Sequence, residues 1–184
     1  MSFKTFIESA KQPAPKVEIN ILDLPGVYAA AHAKFDDRKR VAQLIRGLTG
    51  KEPDKLHCTI VYSRQHVATE KLTPILSSWD PKKAEKVRVN EVRVFSNPSA
   101  TKPGQPPVAA LVLILDAPFM DELHKACMDM GCSYDYADYH PHVTLLYGVP
   151  VTEAAEASRV IQEALDTKPL TVTLSNPYVE ALKP

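Results

Sequence analysis

At 184 residues the chain supports one domain, or two small lobes sharing a core, and its 45% hydrophobic content excludes global disorder. Lys plus Arg number 22, as do Asp plus Glu, and the resulting zero net charge argues against duplex DNA as a partner. A small anion stays possible, because local potential matters more than the total.

Met1 to Lys16 holds no apolar run fit for a secretion signal, and no stretch approaches the ~20 apolar residues that span a bilayer. A cytoplasmic protein without membrane association is expected. Residues 1–24 read as an N-terminal extension. Within it Ser2 to Ala10 offers a helical turn or two, Gln12-Pro13-Ala14-Pro15 breaks any helix, and Ile19 to Leu24 is extended. After the Leu24-Pro25-Gly26 turn, Val27 to Phe35 reads as a first strand. Asp36 or Asp37 caps a helix running through Leu48, with Val41, Leu44, Ile45 and Leu48 on its apolar face and Thr49-Gly50 as its stop. Glu52 to Lys55 is a loop. It delivers the chain to Leu56-His57-Cys58-Thr59-Ile60-Val61-Tyr62, a strand by its β-branched and aromatic content.

Thr69 to Trp79 fits a helix through Leu72, Ile75, Leu76 and Trp79, despite Pro74. Glu85 to Phe95 alternates as one or two strands with a bulge. Ser96 to Pro107, with four prolines and Gly104, is a loop. Val108 to Leu115 is a nearly continuous apolar run, expected as a strand buried on both faces. Asp116-Ala117-Pro118 opens a helix whose buried stripe is Phe119, Leu123, Ala126, Cys127 and Met130, and whose stop is Gly131. Cys127 and Cys132 lack zinc-ligand spacing, and the three cysteines are expected as reduced thiols. A tyrosine-rich loop from Tyr134 leads into Tyr139-His140-Pro141-His142-Val143-Thr144-Leu145-Leu146-Tyr147. Thr152 caps a helix with Ala154, Ala157, Val160, Ile161 and Leu165 inward. Leu170 to Leu174 is a last strand, and Asn176 to Glu180 an extended tail.

Strand, helix, loop and His-x-Thr strand thus occur at 27–63 and again at 108–148, a degenerate internal repeat. The expected fold is α+β: a bilobal, pseudo-two-fold arrangement of two antiparallel sheets flanked by helices, one His-x-Thr strand per lobe. In a strand alternate side chains share a face, so His57 joins Thr59 and His142 joins Thr144. Breaking a phosphodiester needs a base, an acid and donors to the charged oxygens. Imidazole titrates near 6.5, so one histidine can be neutral while its partner is protonated. Two histidines flanking the phosphorus, each with a threonine hydroxyl beside it, fill these roles without metal or cofactor. His-Glu-x-x-His and Gly-x-Ser-x-Gly are both absent, which leaves zinc-protease and serine-nucleophile chemistry without their motifs. His32, His66 and His124 have no matching context and are expected at the surface or rim. His140, before Pro141, is expected to shape the loop or to line the cleft.

These residues resemble the two-histidine phosphoesterase superfamily, marked by two His-x-Thr/Ser motifs on a bilobal α+β fold. The closer likeness is to the phage anti-CBASS nuclease family. It is carried by Lys55 to Arg64, by Ala110 to Asp116 and by Tyr134 to Leu145, within a span from about Pro25 to Glu180. The resemblance implies a single two-lobed phosphoesterase domain and a metal-independent phosphodiesterase. Its substrates would be cyclic di- and trinucleotides, such as 3′,3′-cGAMP and cyclic triadenylate, that bacteria make as infection signals. His57, Thr59, His142 and Thr144 would be catalytic. Phe95 stands where the family carries a stacking aromatic, Tyr28 would meet a base, and Glu180 resembles an acidic residue of the family's C-terminal lid. Arg64 and Lys55 would add positive potential or remain solvated. The rival expectations are an RNA 2′,3′-cyclic or 2′–5′ phosphodiesterase, and a non-catalytic nucleotide sensor on the same fold.

Overall fold

The computed structural model describes residues 24–80, 82–96 and 104–183. The turns expected at Ser2 to Ala10, the extended stretch up to residue 23 and residues 97–103 of the proline-rich loop lie outside the described residues. The elements run β1 (Val27–Phe35), α1 (Arg38–Leu44), β2 (His57–Ser63), α2 (Thr69–Ser77), β3 (Glu85–Ser96), β4 (Val108–Asp116), α3 (Pro118–Asp129), β5 (His142–Pro150), α4 (Val151–Thr167) and β6 (Thr171–Ala181).

Among the described residues six strands join one antiparallel sheet that closes into a barrel in the order β1-β2-β5-β4-β3-β6. The expectation of two separate sheets is therefore corrected. A three-stranded half would leave two edges of unpaired N–H and C=O groups; closure removes them. The internal repeat survives the merger and is longer than the sequence indicates. β1-α1-β2-α2-β3 is followed by β4-α3-β5-α4-β6, and exchanging the halves leaves the order around the barrel unchanged. The two seams between halves are short. β3 meets β6 along Glu85–Arg88, and β2 meets β5 through one residue pair, Cys58 with Val143.

Several boundaries differ from the expected ones for local reasons. Asp37 caps α1 by accepting the Arg40 N–H at 3.0 Å, but the helix ends at Leu44 because Gly47 takes a left-handed conformation at φ 90°. α4 opens at Val151 behind Pro150 rather than at Thr152. β3 is one strand, with Asn90 as its extra residue. β6 does not stop at Leu174. Asn176, at φ 47°, absorbs a bulge against β1 and lets the strand continue to Ala181.

Ala31, Cys58, Val143 and Leu113 form one row across four neighbouring strands and are all buried in the core. Leu72, Leu76 and Trp79 of the α2 region, Met120, Leu123 and Cys127 of α3, and Ala154, Ile161 and Leu165 of α4 join the same core. Each large apolar side chain so buried contributes about 1.5–3 kcal/mol. In α3 Leu123 and Cys127 are buried as expected and are joined by Met120 and His124, whereas Phe119 and Ala126 are half-buried and Met130 is 48% exposed. Val160 of α4 also faces out.

Candidate active site

The Cys58–Val143 pair sets the geometry. These two residues face the core, so His57, Thr59, His142 and Thr144 all lie on the opposite face of the sheet. In an antiparallel pair centred there, His57 lies beside Thr144 and Thr59 beside His142. The histidines occupy the diagonal, where Cα atoms stand about 7–8 Å apart. Ala30, Val112 and Ile114 flank them in register with Thr59, Thr144 and His142; all three are buried yet separate from the core, and form an apolar floor.

Both strands bulge at the same point. Against β1 the register passes from Thr59 to Val61, leaving Ile60 as the extra residue. Against β4 it passes from Thr144 to Leu146, leaving Leu145. A bulge bends the strand and re-aims the neighbouring side chain, and here each follows the threonine directly.

The two imidazoles are held alike. Nδ1 of His57 donates to the Lys55 carbonyl at 3.2 Å, and Nδ1 of His142 donates to the His140 carbonyl at 2.8 Å. A carbonyl only accepts, so Nδ1 carries the proton in each ring and Nε2 is the atom free to exchange one. Burial holds the His142 pKa below its ordinary value; the His140 carbonyl acts against it, and repulsion from the like charges of His57 and His140 lowers it further. His142 is accordingly neutral near pH 7. The Tyr28 hydroxyl and Thr59 Oγ1 approach to 3.4 Å, and burial keeps the phenol protonated well above the usual range. Burial pushes the Cys58 thiol up to about 12, and it faces the core, so it offers no thiolate to the site. Among the described residues no three His, Cys, Asp or Glu side chains are grouped so as to hold a metal ion.

An aromatic ring stands beside each histidine. Tyr28 lies 5.9 Å from His57 at 88°, and Phe95 lies 5.1 Å from His142 at 73°. Glu180 is exposed and in register with Tyr28. The structure thus brings all seven candidate residues to one face. His32, in register with His57, is exposed and stacks on Tyr178 at 4.9 Å. His66 ties its loop down through Nδ1 to the Pro25 carbonyl at 2.9 Å. Arg64 pairs with Asp135 at 3.1 Å with its side chain 77% exposed, a pairing worth ~1 kcal/mol or less. Lys55 is exposed. The expectation that His124 lies at the surface is corrected: it is 9% exposed and donates to the Ile60 carbonyl. Tyr178 also borders the site, packing against Tyr28 and His32, and the sequence carries no local signal for it; Tyr139, on the tyrosine-rich approach to β5, lies instead on the core side of β2.

These features define a class: an α+β barrel built from two matching halves, each presenting a His-x-Thr strand to the same face of the sheet. A family model described as "Anti-CBASS protein Acb1" matches residues 25–183. The Acb1 protein of Escherichia phage RB16 is 30% identical over 184 residues, covering 97% of this chain and 88% of its own. That of Acinetobacter phage Ac42 is 32% identical over 133 residues, 70% of this chain and 77% of its own. Salmonella phage S16 supplies another at 30% over 161 residues, with 86% and 89% covered. The chain belongs to the anti-CBASS protein Acb1 family. Among the described residues no helix is long and apolar enough to cross a membrane.

Proposed function

We propose that this protein is a metal-independent phosphodiesterase of the two-histidine type that cleaves 3′–5′ bonds in cyclic di- and trinucleotide immune signals. It would act in the host bacterial cytoplasm and so blunt CBASS defence, as a single domain. The observation that carries the reading is the single Cys58–Val143 pair, which sets both His-x-Thr motifs side by side on one face.

In the first step a ribose 2′-hydroxyl attacks the adjacent phosphorus. His142, neutral near pH 7 and with Nε2 free, takes the hydroxyl proton; His57 gives a proton to the departing 5′-oxygen. Thr59 and Thr144 donate to the non-bridging oxygens, where charge builds up. The product is a 2′,3′-cyclic phosphate. Water then opens it, with the histidines exchanging roles. Phe95 and Tyr28 receive the bases, and Glu180 approaches from β6 beside Tyr28. Stacking of this kind tolerates base identity, which suits a group of related signals.

The test is incubation of purified protein with 3′,3′-cGAMP and cyclic triadenylate in EDTA, alongside a 2′,3′-cyclic mononucleotide and a 2′–5′ dinucleotide. Cleavage of the cyclic oligonucleotides, lost in His57→Ala and His142→Ala, is expected. Faster turnover of the small substrates moves the function to RNA metabolism. A stoichiometric complex with no product makes the protein a sensor.

A further inference from the structure

The tyrosine-rich approach to β5 takes no part in the chemistry above, and neither does His124. Both are tied to β2 at the bulge. The Tyr139 hydroxyl donates to the Thr59 carbonyl at 2.6 Å, and His124 Nδ1 donates to the Ile60 carbonyl at 2.7 Å. A bulge disrupts the ladder locally, and a buried carbonyl left without a donor is costly. The two donors therefore meet the carbonyls of the site threonine and of the extra residue that follows it. They are themselves fixed. The His124 and Tyr139 rings stack at 4.1 Å and 3°, and Tyr134 packs edge-on against them at 4.7 and 6.0 Å. His124 is anchored on α3, whose buried face includes it.

The two halves of the barrel differ here. Beside the second bulge the equivalent elements are α1 and the 50–56 loop, and that loop holds no aromatic residue. In place of stacked rings, Leu145 borders a cleft of about 550 Å³ lined also by Val41, Ile45 and Leu56.

We infer that Tyr139 and His124 are positioning residues that clamp the β2 bulge and thereby hold the Thr59 hydroxyl at the phosphate. This rests on the phosphodiesterase reading, in which Thr59 donates to a non-bridging oxygen. Tyr28 steadies the same threonine from its side-chain end; Tyr139 and His124 do so from its backbone.

A double-mutant cycle between Tyr139→Phe and Thr59→Val tests it. Tyr139→Phe alone is expected to lower kcat by about 10–100-fold, the scale of an ångström-level misplacement, with KM changed less than about threefold. In the Thr59→Val background the same substitution is expected to change kcat by less than about twofold, since coupled residues are not additive. His124→Asn, which keeps a donor, is expected to restore kcat relative to His124→Leu. Equal losses from Tyr139→Phe in both backgrounds, or a loss confined to Tm, would overturn the inference. A crystal structure of Tyr139→Phe supplies a readout independent of turnover: Thr59 Oγ1 is expected to move, and an unmoved hydroxyl overturns the clamp. An inactive wild-type protein would count against the phosphodiesterase reading alone, with the clamp then decided by those coordinates.

Discussion

Replacing His142 with Asn separates chemistry from stability. The amide retains a donor that can meet the His140 carbonyl, and the substitution deletes the exchangeable Nε2. A positioned acid–base group is worth about 10²–10⁴ in rate, or about 2.7–5.5 kcal/mol at 1.36 kcal/mol per decade. The stability change is far smaller: one neutral hydrogen bond contributes about 0.5–1.5 kcal/mol, and here it is largely kept. Wild-type pH dependence has a fixed sign. Burial lowers the His142 pKa, so the neutral base is complete above 6.5 and is lost as pH falls through the folded value. kcat/KM on 3′,3′-cGAMP should therefore show an acid limb centred below 6.5. Stability follows the same direction: the unfolded ring titrates near 6.5 and the folded ring lower, so the stability is full above 6.5 and declines as pH drops from there. The assay is hydrolysis in EDTA from pH 5 to 9, followed by product chromatography, with Tm measured alongside. More than about a tenth of the wild-type rate in His142→Asn, or an acid limb centred above pH 7, would refute the assignment of His142 as the initial base.

Phe95→Ala should raise KM by about 5–150-fold, the equivalent of ~1–3 kcal/mol of stacking, with kcat little changed; a kcat loss at constant KM would instead place Phe95 in support of His142. Gly26→Ala should destabilise the fold by about 1–3 kcal/mol, because a Cβ there would stand 2.1 Å from the Ser63 carbonyl oxygen, a backbone atom of β2; an unchanged Tm would contradict that geometry. Leu113→Ala should cost about 2–5 kcal/mol by opening a cavity in the row it shares with Val143 and Cys58, read by urea denaturation.

The local content of the strands was legible. The apolar run of β4 and the two His-x-Thr strands carry their own signal, and alternation alone puts each histidine on the face of its threonine. What was not legible depends on residues far apart in the chain. Nothing near Cys58 or Val143 indicates that they pair, so two sheets were expected where one closes. The bulges at Ile60 and Leu145 exist only relative to β1 and β4 and leave no local mark. His124 falls in the i, i+3, i+4, i+7 series with Met120, Leu123 and Cys127, which is a core stripe. A polar residue in that series reads as an interruption until the distant carbonyl it serves is known. Where local chemistry did decide an outcome, as with Gly47 ending α1 and Asn176 extending β6, the residue type was the clue and the required backbone angle was hidden.

The barrel is thinnest where its candidate site lies: one residue pair, Cys58 with Val143, joins β2 to β5. A phosphate gripped from both strands would act as the missing rung there. Occupancy and cohesion then rise together: a loaded barrel should melt later than an empty one, by RT ln(1 + [L]/Kd), and should resist prising apart along that line first.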